Sequence, residues 1–384
     1  MSTTNAAETV LTNALLVLPG EVAPGTLLLR GGLIAEVQPG RSALPSAEDM
    51  GGDHLIPGVV DVHTDNLERQ VLPRANARWP SRSAMLAHDA QCAAAGVTTV
   101  LDALCLGDLG FDMGRDQTFW DGVRDLDALA DTGLLRSEHF LHLRCELPAE
   151  DMPRALEAVA DHGLVRMVSV MDHSPGFGQY RDLDRYRKMR VRQKQMTDAE
   201  VSRRISELLE QRERLREPQR RWLLERIAHR DLPVASHDDD DPAEMDRNKR
   251  DGITISEFPV LMEAAEHARA IGVEVIAGAP NIVRGGSHSG NVAAIDLVRG
   301  NAAHALASDY VPGAMVEAAW RCAAEAGLSL PEAVATITDA PARMARLGDR
   351  GRIEAGLRAD LVRVRAHEGL PVVRQVWRAG ERVA

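Results

Sequence analysis

The feature that most constrains this chain is a repeated one. Short apolar runs alternate with helical stretches from about residue 55 to 310, and most runs end in His, Asp or Glu. The runs are Leu55–His63, Val97–Ala103, His139–Glu146, Val165–Asp172, Pro233–His237, Thr254–Phe258, Val273–Ala279 and Ala305–Asp309. Continuous apolar strands separated by helices indicate a parallel sheet covered on both faces. Eight of them over some 290 residues suit a (β/α)₈ barrel carrying one insertion. A doubly wound open sheet is the alternative. Polar residues gathered at the carboxyl ends of the strands favour the barrel, whose active sites lie at that end.

Outside the repeat, the texture changes. Residues 1–57 hold short β-runs (Thr9–Leu18, Thr26–Arg30, Leu33–Val37) broken by Pro-Gly and Gly-Gly turns, and residues 349–384 read the same way. We expect a small β-sandwich domain from residues 1–57 plus 349–384, and a catalytic barrel over residues 58–348. A charged helical insertion is expected at about 181–230, opened by the capping box Thr197-Asp-Ala-Glu200.

The chain has 384 residues and a net charge of −12. The insertion runs against this balance, with sixteen Lys and Arg against nine acidic residues, leaving the remainder near −19. An overall acidic chain is a poor nucleic-acid or membrane-surface binder. The N-terminus lacks a basic region followed by an apolar core, and no apolar run reaches the ~18 residues of a membrane span. Cys92, Cys105, Cys145 and Cys322 form no C-x-x-C pair, so buried free thiols in a reducing cytoplasm are expected.

The strongest chemical signal is Pro57-Gly-Val-Val-Asp-Val-His63-Thr-Asp65-Asn66. A strand's period of two places His63 and Asp65 on one face, where both reach one divalent cation. Alone, such a pair is more often structural than functional. Glu146, His173, His237 and Asp309, each ending another run, complete a donor set for one or two ions. Zinc is the first candidate, with manganese or iron as alternatives. A bound ion lowers the pKa of water, and Asp309 is placed to take the proton. If two ions bind, Glu146 is expected to bridge them. The glycine-rich Asn281–Asn291 stretch offers backbone N–H groups with Arg284, Ser287 and His288 for phosphate oxygens. Asn281, Asn66 and His88 are further candidates for substrate contact.

These motifs, with Ala95-Gly-Val-Thr-Thr-Val100 and Gly351-x-Ile-x-x-Gly356-x-x-Ala359-Asp360, resemble the amidohydrolase superfamily. The longer strings HTDNLE (63–68), WPSRSAMLAHDA (79–90), HLRCELP (142–148) and GAPNIVRGGSHSGN (278–291) narrow the resemblance to its phosphonate-utilisation branch. The resemblance implies a metal-dependent barrel that hydrolyses a ribose methylphosphonate 5-triphosphate to the 5-phosphate and pyrophosphate. The partner would be this small phosphorylated molecule, with a homo-oligomer left open. Three positions depart from the superfamily pattern: Asp65 replaces a second His, the bridging Lys has no counterpart, and Glu257-Phe-Pro stands where another His is usual. The competing readings are an ordinary amidohydrolase acting on a cyclic amide or deaminating a small molecule, and a non-catalytic scaffold.

Overall fold

A computed structural model describes residues 8–74, 77–110, 114–194, 196–287 and 290–384. The first segment makes β1 (Glu8–Val17), β2 (Val22–Arg30), β3 (Leu33–Pro39), the short β4 (Glu48–Asp49) and β5 (His54–Pro57). Eight parallel strands follow: β6 (Val59–Thr64), β7 (Val97–Leu106), β8 (Glu138–Glu146), β9 (Val165–Met171), β10 (Val234–His237), β11 (Ile255–Glu257), β12 (Glu274–Gly278) and β13 (Ala305–Ala307). Each expected apolar run supplies one of them. The chain returns through β14 (Leu361–His367), β15 (Leu370–Arg378) and β16 (Glu381–Arg382).

The eight parallel strands pair in chain order from β6 to β13. The seam between β13 and β6 is drawn together by a parallel bridge between Thr64 and Asp309. Asp309 N donates to His63 O at 3.0 Å, and Ser308 N donates to the Asp61 carboxylate at 3.0 Å. The closing contacts are therefore made by the same strand ends that carry chemistry. Val60, Val62, Leu101, Phe140, Met167, Ile255 and Ile276 fill the interior, so the barrel is a packed core and not a pore. Gly58 sets the entry to β6: a Cβ there would lie 2.3 Å from Thr98 Oγ1, so only glycine permits this approach.

The two chain ends form one mixed sheet in the order β16-β15-β14-β5-β1-β2-β3. Its core includes Leu11, Leu27, Ile34, Leu55, Leu361 and Trp377. Asp53, before β5, receives Arg363 Nε at 2.6 Å and Arg365 Nε at 2.9 Å from β14, which ties the ends together. Between β9 and β10 lie the helices Leu183–Lys194 and Asp198–Ile227, the second opened by the Thr197–Glu200 capping box.

Candidate metal centre

Alternate residues of β8 share one face of the strand and climb from the barrel floor to its mouth. Phe140 lies in the apolar plug. His142 hydrogen-bonds Val62 O through Nδ1, at 2.9 Å, and the Ser169 hydroxyl through Nε2. Arg144 Nη1 donates to Asp65 Oδ1 at 2.5 Å. Glu146 closes the series against His173.

At the mouth, two groups of donor atoms lie within 4.8 Å of one another: His63, Asp65 and Asp309, and then His173, His237 and Asp238. The groups adjoin, because the His237 ring lies 5.7 Å from His63 and 5.4 Å from His173. His237 Nδ1 lies 3.2 Å from Asp238 Oδ2, whereas His63 Nε2 and His237 Nε2 are buried without hydrogen-bond partners. Buried polar atoms are rarely left this way. Imidazole nitrogens and carboxylate oxygens of this kind suit a divalent cation, which would satisfy them.

The electrostatics agree. Burial alone would depress His63, but Glu257 and Asp65 outweigh it and push it up to about 10. Burial, reinforced by the neighbouring Asp65 carboxylate, pushes Asp309 up to about 7. The His63 shift expresses nearby negative charge, and the Asp309 shift expresses burial first and the Asp65 carboxylate second; a bound cation would offset both.

The ligand candidates are held from behind. Glu257 is fully buried, accepts from His63 Nδ1 at 3.0 Å and from Ser169 Oγ at 2.6 Å, and so orients the His63 ring. Its role was not legible in the sequence. Glu146, expected to bridge two ions, plays the same part for His173: Oε1 accepts from His173 N at 2.8 Å and Oε2 from Nδ1 at 2.5 Å. With both oxygens engaged, Glu146 belongs to neither donor group. Asp238 takes a place there that the sequence reading overlooked, because Asp238–Asp241 looks like a solvated acidic run. Asp238, Phe258 and Asp309 each follow a barrel strand with φ near +55° (57°, 54° and 54°), a turn that swings the next segment off the strand axis.

The donor groups open into a cavity of about 600 Å³. Asn281, Arg284 and Ser287 line it, as expected for phosphate contacts, and His288 lies outside the described residues. Asn281 also receives Ala294 N at 3.0 Å, which holds its loop. Arg115, Arg144 and Arg190 join Arg284 to make four arginines in the lining. Of these only Arg284 came from the sequence reading.

Asn66 and His88 are placed elsewhere. Both are buried behind the strand ends, and neither lines the cavity. Asn66 Nδ2 donates to His88 Nδ1 at 2.9 Å, His88 Nε2 to Asp102 at 2.7 Å, and His139 bridges Asp102 (2.8 Å) and Asp89 (3.3 Å). Burial would lower His139, yet Asp102 and Asp89 overcome it and push it up to about 9. A histidine raised on folding stabilises fully below its ordinary value, and the contribution is lost as pH rises through the folded value. The stability difference between wild type and His139→Gln should therefore shrink between about pH 6.5 and pH 9, by about 3 kcal/mol at most. Urea unfolding across that window measures it, and a constant difference would contradict the assignment.

No protein-family model matches the chain. Over its whole length it superposes on dihydropyrimidinase from Brevibacillus agri NCHU1002 (TM-score 0.65, 12% identity, 98% of this chain and 95% of the other). It also superposes on N-acetyl-D-glucosamine-6-phosphate deacetylase from Mycobacterium smegmatis (TM-score 0.62, 17% identity, 98% and 99%) and on the crystal structure of an amidohydrolase (TM-score 0.62, 16% identity, 98% of both). At such identities the likeness concerns architecture, and the architecture is that of the amidohydrolase barrels. Sequence narrows it further. The chain is 39% identical over 376 residues to alpha-D-ribose 1-methylphosphonate 5-triphosphate diphosphatase of Escherichia coli (strain K12), a match covering 97% of this chain and 100% of the other. It belongs to the family of these diphosphatases.

Proposed function

We propose that the protein is a divalent-metal-dependent hydrolase that converts alpha-D-ribose 1-methylphosphonate 5-triphosphate to the 5-phosphate and pyrophosphate. The observation that carries this reading is the full-length relationship to the Escherichia coli enzyme. The arginine-lined cavity above two imidazole–carboxylate groups supports it, since such a lining suits a polyphosphate better than a neutral cyclic amide.

His63, Asp65, His173, His237, Asp238 and Asp309 are the residues that would hold the metal, with zinc the first candidate. When bound, the cation supplies Lewis-acid polarisation of phosphoryl oxygens and acidifies water. The chain's own groups do the rest. Glu257 and Glu146 fix the rings of His63 and His173. Arg144, held on Asp65, and Arg284, which has no ion-pair or hydrogen-bond partner among the described residues, orient phosphate oxygens. Water attacks the phosphorus nearest the sugar, and Asp309 accepts its proton. The bond to the bridging oxygen breaks, and pyrophosphate leaves with the electron pair.

A cytoplasmic place fits the four buried, free cysteines. No described helix is long and apolar enough to cross a membrane. Purified protein supplied with Mn²⁺ or Zn²⁺ should release pyrophosphate from the 5-triphosphate. Absence of release across several metals, with metal binding demonstrated, would overturn the assignment.

A further inference from the structure

The insertion is spread over the barrel mouth. Arg204 in its second helix donates to Leu109 O, after β7, at 2.7 Å. Gln211 donates to Pro148 O, after β8, at 2.8 Å. Arg212 and Arg216 both donate through Nε to Asp172 Oδ2, at 2.7 and 2.9 Å, beside His173. In the first helix, the Arg185 guanidinium fills the space where a side chain on Gly290 would sit, against the glycine-rich loop after β12. A solvated hairpin would make few such contacts. This one is anchored to the loops that follow several different strands.

From this roof Arg190 reaches the cavity lining. It is 7% exposed. Its guanidinium lies 5.6 Å from the Tyr180 ring and 5.0 Å from the Tyr186 ring, and those two rings are in edge contact at 5.0 Å. Tyr180 in turn lies 6.1 Å from His173, ring to ring. The aromatic shelf therefore holds a cation one side chain away from the second donor group. Of the other arginines in the lining, Arg144 is held on Asp65 and Arg284 is exposed.

We propose that Arg190, held on Tyr180 and Tyr186, forms the subsite for the leaving pyrophosphate, and that the insertion thereby sets the preference for a triphosphate. The proposal rests on the hydrolase reading above. A buried guanidinium is weakly screened, so it acts most strongly on the most highly charged part of a ligand. In this substrate that part is the terminal pyrophosphate, whose charge also grows as the bond breaks.

The test is equilibrium binding of inorganic pyrophosphate and of the ribose phosphonate 5-phosphate product to the full-length, metal-loaded protein by titration calorimetry. It is joined to steady-state assays on the 5-triphosphate and the 5-diphosphate. Arg190→Gln is expected to weaken pyrophosphate at least tenfold, to change the 5-phosphate less than twofold, and to erase most of the triphosphate preference. Arg190→Lys keeps the charge without the planar fork, and should fall between wild type and Arg190→Gln. It also serves if the glutamine variant does not fold. Unchanged pyrophosphate binding in either variant, or selective weakening of the 5-phosphate, would overturn the subsite. Pyrophosphate binding that depends on Arg190 in a wild-type protein without turnover would leave the subsite standing and defeat the hydrolase reading.

Discussion

Replacing His237 with alanine is expected to abolish turnover and to lower the metal content of the purified protein. His237 is the member of the second donor group that adjoins the first, 5.7 Å from His63 and 5.4 Å from His173, with Nε2 lacking any hydrogen-bond partner. His237 Nδ1 lies 3.2 Å from Asp238 Oδ2, so removing the ring also takes a favourable neighbour from that buried carboxylate. The ring packs at 5.5 Å against Phe258, so the cost in stability is that of a small cavity, about 1–3 kcal/mol. Activity should fall by more than about a hundredfold, since losing a mere outer partner of a ligand already costs 10–100-fold. Metal analysis, a melting curve and a pyrophosphate assay on one preparation separate the causes. Wild-type activity would remove His237 from the centre. Lost activity with full metal content would assign it a role toward the substrate instead.

Asp309→Asn should lower kcat by about 10²–10⁴, the range lost with a general base, while KM changes little. Asparagine has the same shape and tolerates the left-handed backbone that Asp309 adopts (φ 54°), so the seam at Thr64 should survive. What disappears is the carboxylate that receives the proton of the attacking water. It also sits in a donor group with His63 and Asp65, so metal content must be measured alongside. A normal kcat with normal metal would transfer the base role to another carboxylate.

Much of the fold was legible because barrel strands buried on both faces must be written as apolar runs. β7, for example, is buried at every position. The candidate ligands were legible for a related reason: a His, Asp or Glu that ends such a run lies at the barrel mouth. His63 Nε2 and Asp65 Oδ1 lie 3.6 Å apart, but strand alternation does not bring them there: β6 ends at Thr64, and Asp65 takes the N-cap position of the next helix with φ −93°. A register shift between Asp61 and Thr64 adds a residue to β6 opposite β7, so Val60 and Val62 join the apolar filling while His63 still reaches the site. No alternation rule reveals a bulge. Arg144 could have been found, because it precedes Glu146 by two on one strand. Asp238 could not be told from its acidic neighbours.

The net charge of the chain argued against classes of partner without describing the site. The −12 total coexists with four arginines around one cavity, since field strength depends on burial and distance. The sequence by itself determined the barrel and the β-rich unit shared by both ends, which forms one mixed sheet and not the expected sandwich, and it pointed to most of the candidate donor residues, because each depends on local pattern. Only the tertiary structure decided that Glu257 and Glu146 orient histidines, that Asn66 and His88 lie behind the site, and that Arg190 faces the cavity. Those roles are contacts between distant segments: His63 meets Glu257 across 194 residues, and Asp65 meets Arg144 across 79. Which of two chemically equivalent carboxylates faces a cation and which stands behind its ligand depends on where barrel closure leaves each strand end.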